Sequence, residues 1–158
     1  MGSRFTGKVA VVMGAGQEIG RAVALLLAKE GASTVLNDVG LRSSMANSAT
    51  STVDQVAKEI SSIGGRVVTS HEDVSSMSGG ERVVQLALET YGRLDVLVNN
   101  IGISDSRGIR EMTSEEFDNI VRNNLRSTFI TSRFASIHFR EQRSRRIVNM
   151  TSDAGLGV

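Results

Sequence analysis

The sequence predicts an α/β fold, an open parallel sheet covered by helices on both faces, and three observations carry that prediction. Short β-branched apolar runs alternate with helical stripes along the chain. Glycines close the runs, and the runs are apolar without alternation, as strands buried on both faces are. Five strands with four helices between them imply three layers, αβα, joined by right-handed crossovers. At 158 residues, 40% hydrophobic and 22% charged, the chain suits one globular domain over residues 1–158 with its own core.

The elements follow in order. Lys8 to Met13 (KVAVVM) is the first strand, and Ile19, Val23, Leu26 and Leu27 make a helical stripe that stops at Gly31. Thr34 to Asn37 is the second strand. Val53, Val56, Ala57, Ile60 and Ile63 form the second helix, ending at Gly64 and Gly65, and Arg66 to Ser70 is the third strand. Val83, Val84, Ala87, Leu88 and Tyr91 mark a third helix before Gly92, with Val96 to Val98 as the next strand. Thr113 and Glu116 have capping-box spacing ahead of a long fourth helix bearing Phe117, Ile120, Val121, Leu125 and Phe129. Ile147 to Met150 is the fifth strand. Gly40 to Thr52, rich in serine and small residues, is a long loop between the second strand and the second helix.

Charge and composition narrow the partners. Lys and Arg number 18 against 17 Asp and Glu, a net charge of +1, which gives no electrostatic reason to expect nucleic acid or an acidic membrane. No apolar run approaches bilayer length, and there is no signal-peptide pattern, so a cytoplasmic protein is expected. Cysteine is absent, which removes disulfides and thiolate metal sites. His71 and His138 stand without metal-ligand spacing, so no metal is expected. The basic cluster Arg140 to Arg146 complements the fourth helix's C-terminus.

Chemistry concentrates where strands end. Gly14, Ala15, Gly16, Gln17, Glu18, Ile19 and Gly20 lie between the first strand and first helix, where a helix N-terminus offers free N–H groups to a pyrophosphate and a Cβ would hold it away. Asp38 ends the second strand about 20 residues on, where a carboxylate can accept ribose hydroxyls and repel a 2′-phosphate. This favours NAD over NADP, although Arg42 nearby leaves some room for NADP. Ligands of such sheets bind at the strands' carboxyl ends.

With Asp73-Val74 after the third strand and Asn99-Asn100-Ile101-Gly102 after the fourth, the chain resembles the short-chain dehydrogenase/reductase family over nearly its whole length. The resemblance implies a Rossmann-type doubly wound sheet, incomplete at its C-terminal side. It implies that Gly14, Gly16, Glu18, Ile19, Gly20, Asp38, Asp73, Val74, Asn99, Asn100 and Gly102 serve the cofactor, Asp73 meeting the adenine and the asparagine pair steadying the central strand. Asn124, in Asn124-Leu125, corresponds to the family asparagine of a water-mediated proton relay; the plainer reading is a buried amide satisfied by backbone. Ser152, after Ile147 to Met150, corresponds to the catalytic serine that hydrogen-bonds the substrate carbonyl.

Several features depart from the family. Its Tyr-x-x-x-Lys pair does not occur within these residues, and the single tyrosine, Tyr91, has Asp95 four residues on. A fragment of a longer enzyme is expected ahead of a truncated relative that binds without catalysing. Met13 stands for the usual Thr, Ile101 for Ala, and Glu18 for the middle Gly, where a carboxylate near a pyrophosphate weakens binding unless it turns to solvent or to Arg21. The implied activity is NAD-dependent hydride transfer between nicotinamide and a small or acyl-linked carbonyl or alcohol. A non-catalytic NAD(P)-binding module is the alternative. Family members commonly associate through the fourth helix and the one after it, which implies a homo-oligomer for the complete protein.

Overall fold

The computed structural model describes residues 4–16, 18–40, 52–104, 108–142 and 145–152. Most of the loop expected from Gly40 to Thr52 lies outside them. The elements are β1 (Val9–Met13), α1 (Glu18–Lys29), β2 (Ser33–Asn37), α2 (Thr52–Ser62), β3 (Val67–Ser70), α3 (Met77–Tyr91), β4 (Val96–Asn99), α4 (Ser114–Ile120), a π-helical turn (Val121–Arg126), α5 (Ser127–Gln142) and β5 (Arg146–Asn149). The sheet is parallel, in the order β3-β2-β1-β4-β5. The chain therefore builds outward from β1 to β3 and then returns to β4 on β1's other side. The switch point falls between β1 and β4, the place at which ligands of such sheets bind.

Strand periodicity divides the core into two layers. Val9, Val11, Met13, Val35 and Leu97 face α3 and α5, packing with Val83, Val84, Ala87, Ala135 and Phe139. Their alternates Ala10, Val12, Leu36 and Val98 face α1 and α2, against Ala24, Leu27, Ala28, Val53, Val56 and Ile60. Met13, where the family has Thr, is fully buried in the first layer. It acts there as a core residue.

Two helical readings are corrected. Ile19 and Leu26 are both 55% exposed; α1 instead buries Gly20, Ala24, Leu27 and Ala28, because the small residues let it lie close to the sheet. The long fourth helix is interrupted by the π turn, and Phe117, Leu125 and Phe129, expected to be its core stripe, are 57%, 66% and 58% exposed. Its buried contacts come from Ser127, Ile130, Thr131, Ala135 and Phe139. The capping box at Thr113 and Glu116 is present in full. Gly92 ends α3 in the left-handed conformation, φ 74°.

Beneath the sheet, at the strands' amino ends, Asp95 is 2% exposed. It accepts from the Val9 N–H at 3.0 Å, Lys8 Nζ at 3.2 Å, and Arg93 Nε and Nη2 at 2.7 and 2.6 Å. Two cations and a backbone donor compensate its burial, so the knot fastens β1 to β4. Tyr91 points to this same end, its hydroxyl 3.5 Å from the Thr34 carbonyl and Arg66 stacked on its ring, and burial raises its pKa. It lies at the opposite end of β2 from Asp38.

Candidate functional site

The turn after β1 is interlocked with the end of β4. Gly14 has φ +64°, and a Cβ on it would stand 2.3 Å from the Asn100 carbonyl oxygen. On Gly20 a Cβ would meet the Gly14 carbonyl oxygen at 2.0 Å and Asn100 Nδ2 at 2.8 Å. Asn100 Nδ2 donates to the Gly14 carbonyl at 3.2 Å. Both glycines therefore make room for protein backbone, a requirement separate from the phosphate approach expected of them. Gly16 lies beside this turn, and its N–H donates to Asp38 Oδ2 at 3.0 Å.

Asp38 brings the end of β2 to the glycine turn. Its second oxygen accepts from the Gly40 N–H at 2.8 Å, so the carboxylate is oriented by two backbone donors, with lone pairs still available. Glu18 starts α1 in the left-handed region, φ 46°, which costs a non-glycine residue about 1 kcal/mol. Its side chain is exposed, and Arg21 pairs with Glu59 instead. Of the two escapes open to Glu18, the structure takes solvent.

After β3, Asp73 Oδ1 accepts from the Ser75 N–H at 2.9 Å and the Ser75 hydroxyl at 2.6 Å, and Oδ2 accepts from Arg122 Nη2 at 2.8 Å. The Ser75 hydroxyl, then Arg122, hold its carboxyl below the usual carboxylate range. Val74 is buried and belongs to the core. Asn99 is 2% exposed; its amide donates to Ser132 Oγ at 3.1 Å and Asn149 Oδ1 at 2.9 Å and accepts from Thr131 Oγ1 at 2.8 Å. It ties β4 to β5 and α5. Ile101 is half-buried against the first core layer, and Gly102 is exposed, with Asn124 3.8 Å from where its Cβ would be.

Asn124 sits in the π turn. Its Oδ1 accepts from the Ile103 N–H and its Nδ2 donates to the Ile103 carbonyl, both at 2.9 Å. The amide is half-buried and satisfied by backbone, and this bond pair fixes its position beside the segment leaving β4. Ser152 is exposed just beyond β5. Gly14, Asp38, Asp73, Asn100 and Ser152 thus all follow strand carboxyl ends, on the same side of the sheet. Arg122 and Ser75 were not anticipated. No local pattern marks Arg122, whose partner Asp73 is 49 residues away.

The residues present fit a dinucleotide: a helix N-terminus behind a glycine turn, with a carboxylate held against that turn and an amide below it. Among the described residues no group of three or more His, Cys, Asp or Glu converges to hold a metal ion. None of their helices is long and apolar enough to cross a membrane. His71 is exposed and lies 3.4 Å from Asp54.

Comparison with known proteins decides the family, since residues 8–157 match the short chain dehydrogenase family. The chain belongs to that family. It is 39% identical to the peroxisomal multifunctional enzyme type 2 of Mus musculus, covering 97% of this chain and 20% of the relative. A short-chain type dehydrogenase/reductase of Mycobacterium tuberculosis is 36% identical, with 94% of this chain and 52% of that protein covered. The crystal structure of a short chain dehydrogenase from Mycobacterium avium superposes with a TM-score of 0.86 at 39% identity, covering 96% of this chain and 56% of that one. This short-chain dehydrogenase chain therefore spans at most about half the length of these relatives. Its five-stranded Rossmann sheet is the family fold.

Proposed function

We propose that the chain is a single NAD-binding Rossmann domain of an oxidoreductase that moves a hydride between nicotinamide and a carbonyl or alcohol carbon. The observation that carries this reading is the 3.0 Å bond from the Gly16 N–H to Asp38. It holds the Asp38 carboxylate, which would accept ribose hydroxyls, beside the glycine turn that would accept phosphate. Gly14, Gly16, Ile19 and Gly20 would form the pyrophosphate turn, Asp38 would take the ribose, Asp73, Val74 and Gly102 would flank the adenine, and Asn99 and Asn100 would support the floor. NAD, when bound, supplies the hydride acceptor. Asn124 would hold a water for proton relay, and Ser152 would hydrogen-bond the substrate oxygen.

Asp38 supports NAD over NADP because a second negative group at the 2′ position would meet its carboxylate. A fungal relative from Neurospora crassa is named a peroxisomal hydratase-dehydrogenase-epimerase. A hydratase makes an alcohol that a dehydrogenase can oxidise, which supports a small or acyl-linked alcohol as substrate. The exposed Phe117, Leu125 and Phe129 support a homo-oligomer in the complete protein. Composition supports the cytoplasm and the relatives' names support the peroxisome; imaging a tagged protein decides between them. These residues alone contain no Tyr-x-x-x-Lys and should turn over no NADH.

Isothermal titration tests the cofactor. NAD should bind, NADP should bind more weakly, and Asp38→Ala should reduce the difference; no heat with either nucleotide overturns the reading. One observation favours a second reading, a non-catalytic module: Glu18 holds the start of α1 in the left-handed region, φ 46°, a strain in the turn where phosphate would bind. A Tyr-x-x-x-Lys pair in the surrounding gene supports the enzyme, and its absence supports the module.

A further inference from the structure

The π turn that carries Asn124 is held from two sides. A π turn bonds i to i+5, as in the Ser127 N–H to the Arg122 carbonyl, and leaves the backbone less tightly specified than an α-turn. Hydroxyls patch it: Ser127 Oγ donates to the Arg122 carbonyl at 3.2 Å and Thr128 Oγ1 to the Asn124 carbonyl at 2.8 Å. On one side the Asn124 amide grips Ile103. On the other, Arg122 Nε donates to Ser75 Oγ at 2.8 Å, Arg122 Nη2 to Asp73 Oδ2 at 2.8 Å, and Arg126 Nε to the Ser75 carbonyl at 2.9 Å.

The second grip is on a loop anchored in the core. Ser75 is 4% exposed, its hydroxyl donates to Asp73 while accepting from Arg122, and its neighbour Val74 belongs to the core. Arg122 therefore ties the turn to this loop with two bonds in fork geometry, a part-buried one to the Ser75 hydroxyl and an exposed one to Asp73, which a point charge cannot reproduce. If the extra residue of the π turn were absorbed into regular helix, the register would slip by one residue, a rotation of about 100°. Asn124 would then leave Ile103.

We propose that Arg122 is a positioning residue for Asn124, keeping the helix in its π register by clamping it to the Asp73–Ser75 loop. The functional weight of this inference rests on Asn124 serving the proton relay. Its structural content stands on the contacts alone. Because Asp73 is also the carboxylate assigned to the adenine, the clamp joins the adenosine end of the cofactor site to the relay residue.

The test is NMR on the isotopically labelled chain, following the Asn124 side-chain amide, identified by its loss in Asn124→Asp. In the unmodified protein that amide should be shifted and slow to exchange, as a doubly bonded group is. Arg122→Ala should move it toward free-amide values with several-fold faster exchange, and Arg122→Lys should restore only part of the shift. Should Arg122→Ala fail to fold, Asp73→Asn removes the clamp's charge without its shape and should produce the same change, smaller. An unchanged Asn124 amide in a folded Arg122→Ala or Asp73→Asn variant overturns the proposal. Adding NAD separates the two readings: no resonance moving anywhere defeats cofactor binding, while the comparison of unliganded variants still decides the role of Arg122.

Discussion

The covered interior of the sheet and its β5 flank are built from strands of the same parallel type, yet every residue of β1 and β2 is buried and every residue of β5 is exposed. The difference lies in cover. β1 and β2 have helices on both faces, whereas no residue of β5 enters either hydrophobic cluster. Apolar residues on the open flank, Ile147 and Val148 on β5 and Leu125 and Phe129 on the helical side, remain at the surface. Burial is thus a property of the layers around a strand, and a strand's composition states only what it can tolerate.

The largest expected effect strikes the covered interior. Gly20→Ala would press a methyl into the Gly14 carbonyl, so unfolding in urea should show a loss of about 3 kcal/mol, with the glycine turn disrupted. A variant as stable as the parent would mean that the interlock with Asn100 yields easily. Glu18→Gly acts on the same turn with opposite sign. It should add about 1 kcal/mol of stability by relieving φ 46°, and because the carboxylate already faces solvent, NAD affinity in titration should change by less than about twofold. Weaker NAD binding in this variant would show that Glu18 serves the ligand. The smallest effect belongs to the open flank: Phe129→Ser, at a residue 58% exposed, should change the chain's stability by under about 0.5 kcal/mol. Sedimentation of the complete protein should nonetheless show weaker self-association, and a large stability loss in the isolated chain would mean that this flank is already packed.

Legibility followed the range of the interaction. The Thr113–Glu116 capping box and the Gly92 stop involve residues within one helical turn of each other, and both were readable directly. Burial of β1 was readable because five apolar residues in a row admit no solvent face. The α1 stripe misled, because Ile19 and Leu26 are the larger residues but Gly20, Ala24 and Ala28 permit closer approach to the sheet. In the site, the positions of Gly14, Asp38, Asp73 and Asn100 at strand ends followed from the alternation. What their atoms touch did not.

By itself the sequence determined the order of elements, the parallel sheet, the family, and the strand ends on which polar residues gather. These are consequences of periodicity and local turn chemistry, which act over a few residues. Tertiary structure alone decided that Gly14 and Gly20 yield space to Asn100, that Asp38 leans on Gly16, that Asp95 collects Lys8 and Arg93, and that Arg122 reaches Asp73. Each joins atoms brought together only by the crossovers of the sheet. The physical reason is distance: a hydrogen bond demands placement within tenths of an ångström, and for partners far apart in the chain that placement exists only after the layers have packed.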